Sequence, residues 1–470
     1  MLRYFIKTFG CQMNFSDSER MASFLESHGL KPTKEKTNAD LVIFNSCGVR
    51  KMPEDRAFGQ IHNLRKNNPR IKIVLTGCIA QRKDVQKILA KKVDLFFPIK
   101  DIHLLENFIY KKFEIKNYKS TQEKINYLST NPKYTNTFSA SIPIMTGCNN
   151  FCAYCVVPYA RGREISRPAD EILEEIKELI KKGYKEITLL GQNVNSYHSP
   201  SPLYSGDPPA NAVTLRAGMS RTRDRGGVIN FSDLLKAINN IPGDFWIRFL
   251  SSHPKDMSDE LIETVTTLDK VCESVHLPIQ SGDNVVLENM NRKYTRDHYL
   301  KLIEKIKEGF KKNKPGAIFS LSSDIIVGFA GETKIQLEKS AQVMRKAKYD
   351  MVYFGQFSPR PQTVAWLMKD NISKIEKERR EKYLNEILKK TSLENNKHYL
   401  NKTLDVLIES QKNGAYFGKT RTLKNVKATV CVNCHPELVE GSQNLIGKFV
   451  KVKITKISTW NLEGEIYEKQ

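Results

Sequence analysis

The sequence predicts an α/β protein in three parts: an N-terminal parallel-sheet domain, a central partial (β/α)6 barrel and a small C-terminal β-barrel. Three observations carry this expectation. A strand-like run closed by a cysteine and followed by a helix-like segment recurs three times within residues 1–120. Apolar runs then alternate with amphipathic segments through residues 134–370, and after a Lys- and Glu-rich helical connector at 371–400 the pattern changes to short β runs over 401–465.

In the first part the runs are RYFIKTFGC, ADLVIFNSC and IKIVLTGC, which set Cys11, Cys47 and Cys78 each just past a strand. After the first, Ser16 and Glu19 stand at capping-box spacing, Met21, Phe24 and Leu25 share a helical face, and Gly29 supplies a stop. This βαβα order implies a parallel sheet, whose strands all end at the edge where open α/β folds bind ligands. The three thiols should converge there. Three thiolates from separate loops can hold an iron–sulfur cluster and leave one iron without a protein ligand. The alternative is three cysteines packed as small apolar residues, and the repetition of the context argues against it.

The densest signal is SIPIMTGCNNFCAYCVVPYARGRE, in which Cys148, Cys152 and Cys155 stand at CxxxCxxC spacing with Tyr154 before the last. A zinc site would want a fourth Cys or His close by, and none follows, so the incomplete set favours a cluster with an open iron that can bind substrate. Candidate strands follow as SIPIMT, EITLLG, WIRFLS, SVHLPI, LSSDIIVGF and VYFGQF, with helices such as ADEILEEIKELIKKG between them. Six units are too few for a closed eight-stranded barrel, so a partial barrel is expected, with chemistry at the carboxyl ends of its strands. Polar residues gather there: Gln192 and Asn193, Ser251 and His253, Gln280 and Ser281, and Asp324 within the fifth strand. Each reads equally well as ordinary loop polarity.

The last part offers TLDVLIES, GAYFGKT, NVKATV and KFVKVKITKIS, a lysine-rich set suited to an RNA backbone. Cys431, Cys434 and His435 spell a haem-attachment motif, a weak reading in a chain expected to stay in the cytoplasm. The stretch HPELVEGS looks inserted, as does the Pro-, Gly- and Arg-rich segment 198–228, which is expected to be a surface loop. Cys272 stands alone among apolar neighbours and reads as core.

With 470 residues the chain is long enough for two or three packed domains. It has no apolar run long enough to span a bilayer, and MLRYFIKTFG lacks the core and cleavage site of a secretory signal. A cytoplasmic protein without a membrane partner is therefore expected, where nine cysteines read as ligands or core rather than disulfides. The formal charge of +23 implies a strongly positive surface, suited to a phosphate backbone, although a generally lysine-rich composition gives the same sum.

On these residues the chain resembles the methylthiotransferases of the radical S-adenosylmethionine (SAM) superfamily. The blocks are CQMN, NSC, GC and CNNFCAYC, then LLGQNVNSY, SSHP, HLPIQSG, MNRKYTRDHY, DIIVGFAGET and SPRPQT, in order along the chain. The resemblance implies two 4Fe-4S clusters, an auxiliary one on Cys11, Cys47 and Cys78 and a SAM-cleaving one on Cys148, Cys152 and Cys155. These six cysteines would carry the activity; by their position on the cysteine loop and the strands, and not by the resemblance, Tyr154, Gln192, Asn193, Ser251, Gln280 and Asp324 are the expected SAM-side contacts. It further implies a TRAM-type RNA-binding barrel at the end, tRNA as partner, an electron donor such as flavodoxin or ferredoxin, and a sulfur source. GQNVNSY resembles the branch that acts on isopentenylated adenosine beside the anticodon. Sister enzymes modify threonylcarbamoyladenosine in tRNA or an aspartate of a ribosomal protein. Outside the enzymes, an iron–sulfur RNA-binding protein or a redox carrier would also hold two clusters, but without cleaving SAM.

Overall fold

The computed structural model describes residues 1–49, 51–113, 127–200, 228–430 and 444–468. The first layer is a five-stranded, all-parallel sheet built on Arg3–Phe9, Leu41–Ser46 and Lys72–Gly77, with the two-residue strands Lys31–Pro32 and Leu95–Phe96 at its edges. Leu41 and Ile43 pack to one face with Met21, Phe24 and Leu25, while Val42 and Phe44 pack to the other with Ile61, Leu64 and Val85. Both faces are thus covered by helices, which is why the central strands read as unbroken apolar runs.

The expected capping box does not form. The helix Gln12–Ser27 begins earlier, with Cys11 itself at the N-cap. Ser16 and Glu19 lie inside it and are taken by the next domain: Ser16 Oγ donates to the Ser141 carbonyl (3.3 Å), and Glu19 accepts from the Thr135 N–H (2.9 Å).

Among the described residues the barrel of the central domain has six parallel strands in two sheets. Ser139–Pro143, Glu186–Leu190 and Trp246–Phe249 form one, and Ser274–His276, Ser320–Val327 and Met351–Gln356 the other. A lone parallel bridge, Ile247 to Val271, joins them into an open barrel. The run SIPIMT divides: Met145–Thr146 leaves the barrel to pair antiparallel with Ile165–Ser166, which swings the cysteine loop over the barrel mouth. Gly147 makes this possible, since its φ is +78° and a Cβ there would lie 2.0 Å from the Arg163 carbonyl oxygen.

The N-terminal domain bridges the two open edges of the barrel. Its helix Gln12–Ser27 lies against the edge strand Ser139–Pro143, with the buried pair Asp17–Arg161 at 2.6 Å. Beyond the opposite edge strand, Arg360 reaches the Val49 carbonyl (3.2 Å) and pairs with Glu54, which also holds Arg82.

The C-terminal part is a closed five-stranded barrel. Four of its strands match the runs read from the sequence. The fifth, Asn461–Glu468, was not among them, because Glu and Gly interrupt its alternation; it pairs parallel with Asn425–Val430 and closes the ring. The barrel docks at the amino ends of the central strands, opposite the cysteines. Arg248 donates to the Thr420 and Arg421 carbonyls, Arg421 pairs with Glu273, and Lys424 pairs with Asp350. Arg421→Ala would strand the largely buried Glu273 with Lys314 as its remaining cation and is expected to cost about 2–3 kcal/mol. The check is a melting temperature lower by several degrees, with the C-terminal barrel becoming protease-sensitive.

Cys272 is core, packed with Trp246, Leu407 and Phe449. Cys431, Cys434, His435, the HPELVEGS stretch and residues 201–227 of the inserted loop lie outside the described residues. What is described of that loop is a short ribbon, His198–Pro200 paired antiparallel with Val228–Asn230. No described helix is long and apolar enough to cross a membrane.

Candidate functional site

The register of the first sheet explains how three distant cysteines meet. Phe9 pairs with Ser46 and Ser46 with Gly77, so all three strands end level. The Cys47 N–H then bonds Phe9 O (2.8 Å) and the Cys78 N–H bonds Ser46 O (2.9 Å). At Gly77 a Cβ would meet Ser46 O at 2.4 Å, with φ at +86°, so only glycine lets the third strand close up before its cysteine.

The thiols sense one another. A hydrogen bond with Cys47 draws the Cys11 thiol down to about 6 in spite of burial, while the same bond, then burial and Cys78, push Cys47 up. The Cys11 thiol donates to Asn14 Oδ1 (3.4 Å), and the Val49 N–H points at Cys47 Sγ (3.3 Å).

The second triplet lies on the loop over the barrel mouth. Asn150 Nδ2 donates to Cys148 Sγ and Arg292 Nη1 to Cys152 Sγ, both at 3.5 Å. Burial pushes Cys148 up, and pushes Cys155 up to about 12; Cys152, Cys148 and then Cys78 add to the effect on Cys155. Cys78 belongs to the first triplet, so the two sets lie within electrostatic reach of each other. Arg161, one short helix after Cys155, stands in the same field. Burial opposes its charge, but Asp17 and then Cys78 hold its pKa well above the ordinary value.

Both triplets suit a cluster: sulfur donors held on short loops, with N–H groups aimed at sulfur to stabilise thiolate. Among the described residues no three His, Cys, Asp or Glu side chains close on a single ion, and a four-iron cluster needs its thiolates further apart than one ion does.

Tyr154 packs against the cluster of Val286, Met290, Phe329 and Phe357 beneath its loop. Gln192 Oε1, Asn193 Oδ1, Asn195 Oδ1 and Ser252 Oγ are buried and without a hydrogen-bond partner among the described residues. All four residues follow the ends of two adjacent strands, and each of these atoms lacks the partner that buried polar atoms ordinarily have. Asn193 is fixed by its other end, Nδ2 to Asp256 at 2.7 Å. Ser251 and Gln280 both have φ of +69° and contribute through the backbone: Ser251 O accepts from Val194 N–H, and Gln280 N–H donates to Asp324 O. Asp324 points into the lumen 3.6 Å from His276, whose Nδ1 meets Ser322 Oγ at 2.9 Å, with the exposed Tyr353 edge-on to the ring. His253 is buried just past the strand Trp246–Phe249. Burial, with Arg292 and Lys255, drops its pKa to about 2, and the neutral ring accepts the Lys255 N–H and packs on Tyr294.

Sequence reasoning passed over Arg161, Arg292 and Asn150, although all three lie inside quoted blocks. Their partners are visible only in three dimensions.

Three family models match the chain: Uncharacterized protein family UPF0004 over residues 3–98, the Radical SAM superfamily over 142–344 and the TRAM domain over 397–467. The tRNA-2-methylthio-N(6)-dimethylallyladenosine synthase of Thermoanaerobacter pseudethanolicus is 38% identical over 481 aligned positions, covering 99% of this chain and 93% of the relative. The enzymes of that name from Clostridium botulinum and Finegoldia magna are each 39% identical, covering 98% and 99% of this chain and 96% and 94% of theirs. Among solved structures, the radical S-adenosylmethionine methyltransferase TsrM from Kitasatospora setae aligns with a TM-score of 0.50 at 11% identity, covering 76% of this chain and 73% of its own. That likeness concerns the fold.

Proposed function

The chain belongs to the radical SAM methylthiotransferases represented by the tRNA-2-methylthio-N(6)-dimethylallyladenosine synthases, and we propose that its two thiol triplets are the ligand sets of the two clusters this reaction uses. It converts N6-isopentenyladenosine next to the anticodon of tRNA into the 2-methylthio derivative. One observation carries the assignment of sites: the N-terminal domain spans the open barrel so that Cys11, Cys47 and Cys78 face the same mouth as Cys148, Cys152 and Cys155.

The chemistry requires this arrangement. Carbon 2 of adenine carries a C–H bond with no leaving group and no acidity, so general acid–base catalysis has nothing to act on. The clusters and SAM, when bound, supply one-electron cleavage of SAM together with the sulfur and methyl group. The protein's residues hold, orient and enclose. Cys148, Cys152 and Cys155 would hold a four-iron cluster through three of its irons, and the cluster would supply an open position for SAM. Asn150 and Arg292 hold the sulfurs of Cys148 and Cys152 in place. Gln192, Asn193, Asn195 and Ser252 offer acceptors to the hydroxyl and amino donors of SAM, and Tyr154 packs at the loop's base. We read the lumen row Asp324, His276, Ser322 and Tyr353 as the group that faces the bound adenosyl moiety or the target base. The apolar layer of Ala153, Phe329 and Phe357 excludes water beneath the loop.

In domain terms we read 1–120 as the auxiliary-cluster domain, 134–370 as the radical SAM core, 371–400 as a connector and 401–465 as the RNA-binding barrel. A cytoplasmic location, a flavodoxin- or ferredoxin-type reductant and a separate sulfur source complete the reading.

Anaerobically reconstituted protein should hold about eight irons and release 5′-deoxyadenosine from SAM on reduction. Clusters that leave SAM intact would make it a carrier instead. Gln192→Ala removes one of the orphaned acceptors, and its KM for SAM is expected to rise about tenfold, read from 5′-deoxyadenosine formation.

A further inference from the structure

At the barrel mouth the short turn Val364–Leu367 has an unusual balance of rigidity and exposure. Ala365 is fully buried in the core beneath the cysteine loop, and its N–H bonds the Ala153 carbonyl at 2.8 Å, between Cys152 and Tyr154. Thr363 precedes the turn, and its hydroxyl donates back to Arg360 O (2.7 Å). Yet Val364, Trp366 and Leu367 are 54%, 51% and 86% exposed. Across the seam that Arg360 makes with the Val49 carbonyl, Val49 and Met52 are exposed as well, two and five residues after Cys47. Large apolar side chains held out by a pinned backbone mark an interaction site rather than scattered surface. Exposed cations border it, with Lys51 and Arg56 on one side and Lys369 on the other. Of the neighbouring carboxylates, Asp370 is held by Lys377 (2.6 Å) and Asp55 lies in the field of Arg360.

We propose that this platform, centred on Trp366, stacks an unpaired nucleobase of the RNA adjacent to the target adenosine. The inference rests on the functional reading above. A base drawn into the lumen must leave its stack, so its neighbour loses a partner. Single-stranded loops are gripped by aromatic faces interleaved with cations, the composition found here. The C-terminal barrel cannot fill this role, because it docks at the far ends of the strands. A protein partner is the alternative occupant and an outcome of the test; the exposed Lys51, Arg56 and Lys369 around the apolar patch favour a phosphate-bearing one.

The test uses full-length reconstituted protein and an anticodon stem-loop RNA containing isopentenyladenosine. Trp366→Ala should weaken RNA binding about tenfold, Trp366→Phe should stay within about threefold of wild type, and melting temperatures should match because the side chain is half exposed. Wild-type tryptophan fluorescence should be quenched by the RNA, and Trp366→Phe should lose most of that quench. Equal affinity in all three proteins overturns the inference. So does a defect in Trp366→Ala that appears only in reduction by a protein electron donor. The functional reading is scored separately, by methylthiolation in the wild type: Trp366→Ala can lose RNA affinity even if the wild type proves to transfer nothing.

Discussion

Replacing Arg161 by alanine is expected to cost about 3–5 kcal/mol of stability and to uncouple the two halves of the reaction. Arg161 and Asp17 are both buried, their charged ends 2.6 Å apart, and they join the helix that follows Cys11 to the helix that follows Cys155. Removing the guanidinium leaves the buried Asp17 carboxylate without its ion-pair partner. The auxiliary triplet then loses its fixed position over the barrel. The expected readout is a markedly lower melting temperature, together with 5′-deoxyadenosine that still forms while methylthio transfer falls away. A double variant, Asp17→Asn with Arg161→Gln, should recover part of the stability lost in either single variant, because it removes both charges together. A melting temperature near wild type for Arg161→Ala would mean that the domain contact does not depend on this pair.

The second large effect separates the triplets. Cys152→Ala should abolish 5′-deoxyadenosine formation and methylthiolation together. Cys47→Ala should leave SAM cleavage working and reduce methylthiolation to background. In each case iron should fall from about eight to about four per chain. If Cys47→Ala still transferred the methylthio group, the N-terminal triplet would be a structural feature and the sulfur would reach the base another way.

Much of this was legible in the sequence because it is local. The strand–cysteine–helix repeat, the CxxxCxxC loop and the six strand-like runs each occupy a short window, and periodicity reads such windows well. The fold class and the convergence of Cys11, Cys47 and Cys78 followed from them. What escaped was set by distant partners. Arg161 meets Asp17 across 144 positions, and Arg292 meets Cys152 across 140. Ser16 and Glu19 have capping-box spacing, but contacts with Ser141 and Thr135 claim them, so tertiary packing overrode the local signal. Asp324 was read within the fifth strand and lies there, in Ser320–Val327, but its neighbour His276 at 3.6 Å comes from another strand and no local pattern names it. No local pattern could report that the lysine-rich barrel docks at the amino ends of the strands, away from the cysteines. On the proposed reading, this barrel would hold RNA at a distance from the mouth that takes the base.

The most direct test of the central claim is mass spectrometry of nucleosides from tRNA lacking the methylthio group, after anaerobic incubation with reconstituted protein, SAM and dithionite. The account expects isopentenyladenosine to gain one methylthio group, and to do so only when both thiol triplets are intact. Unchanged isopentenyladenosine alongside abundant 5′-deoxyadenosine would contradict it and move the substrate to another RNA base or to a protein side chain.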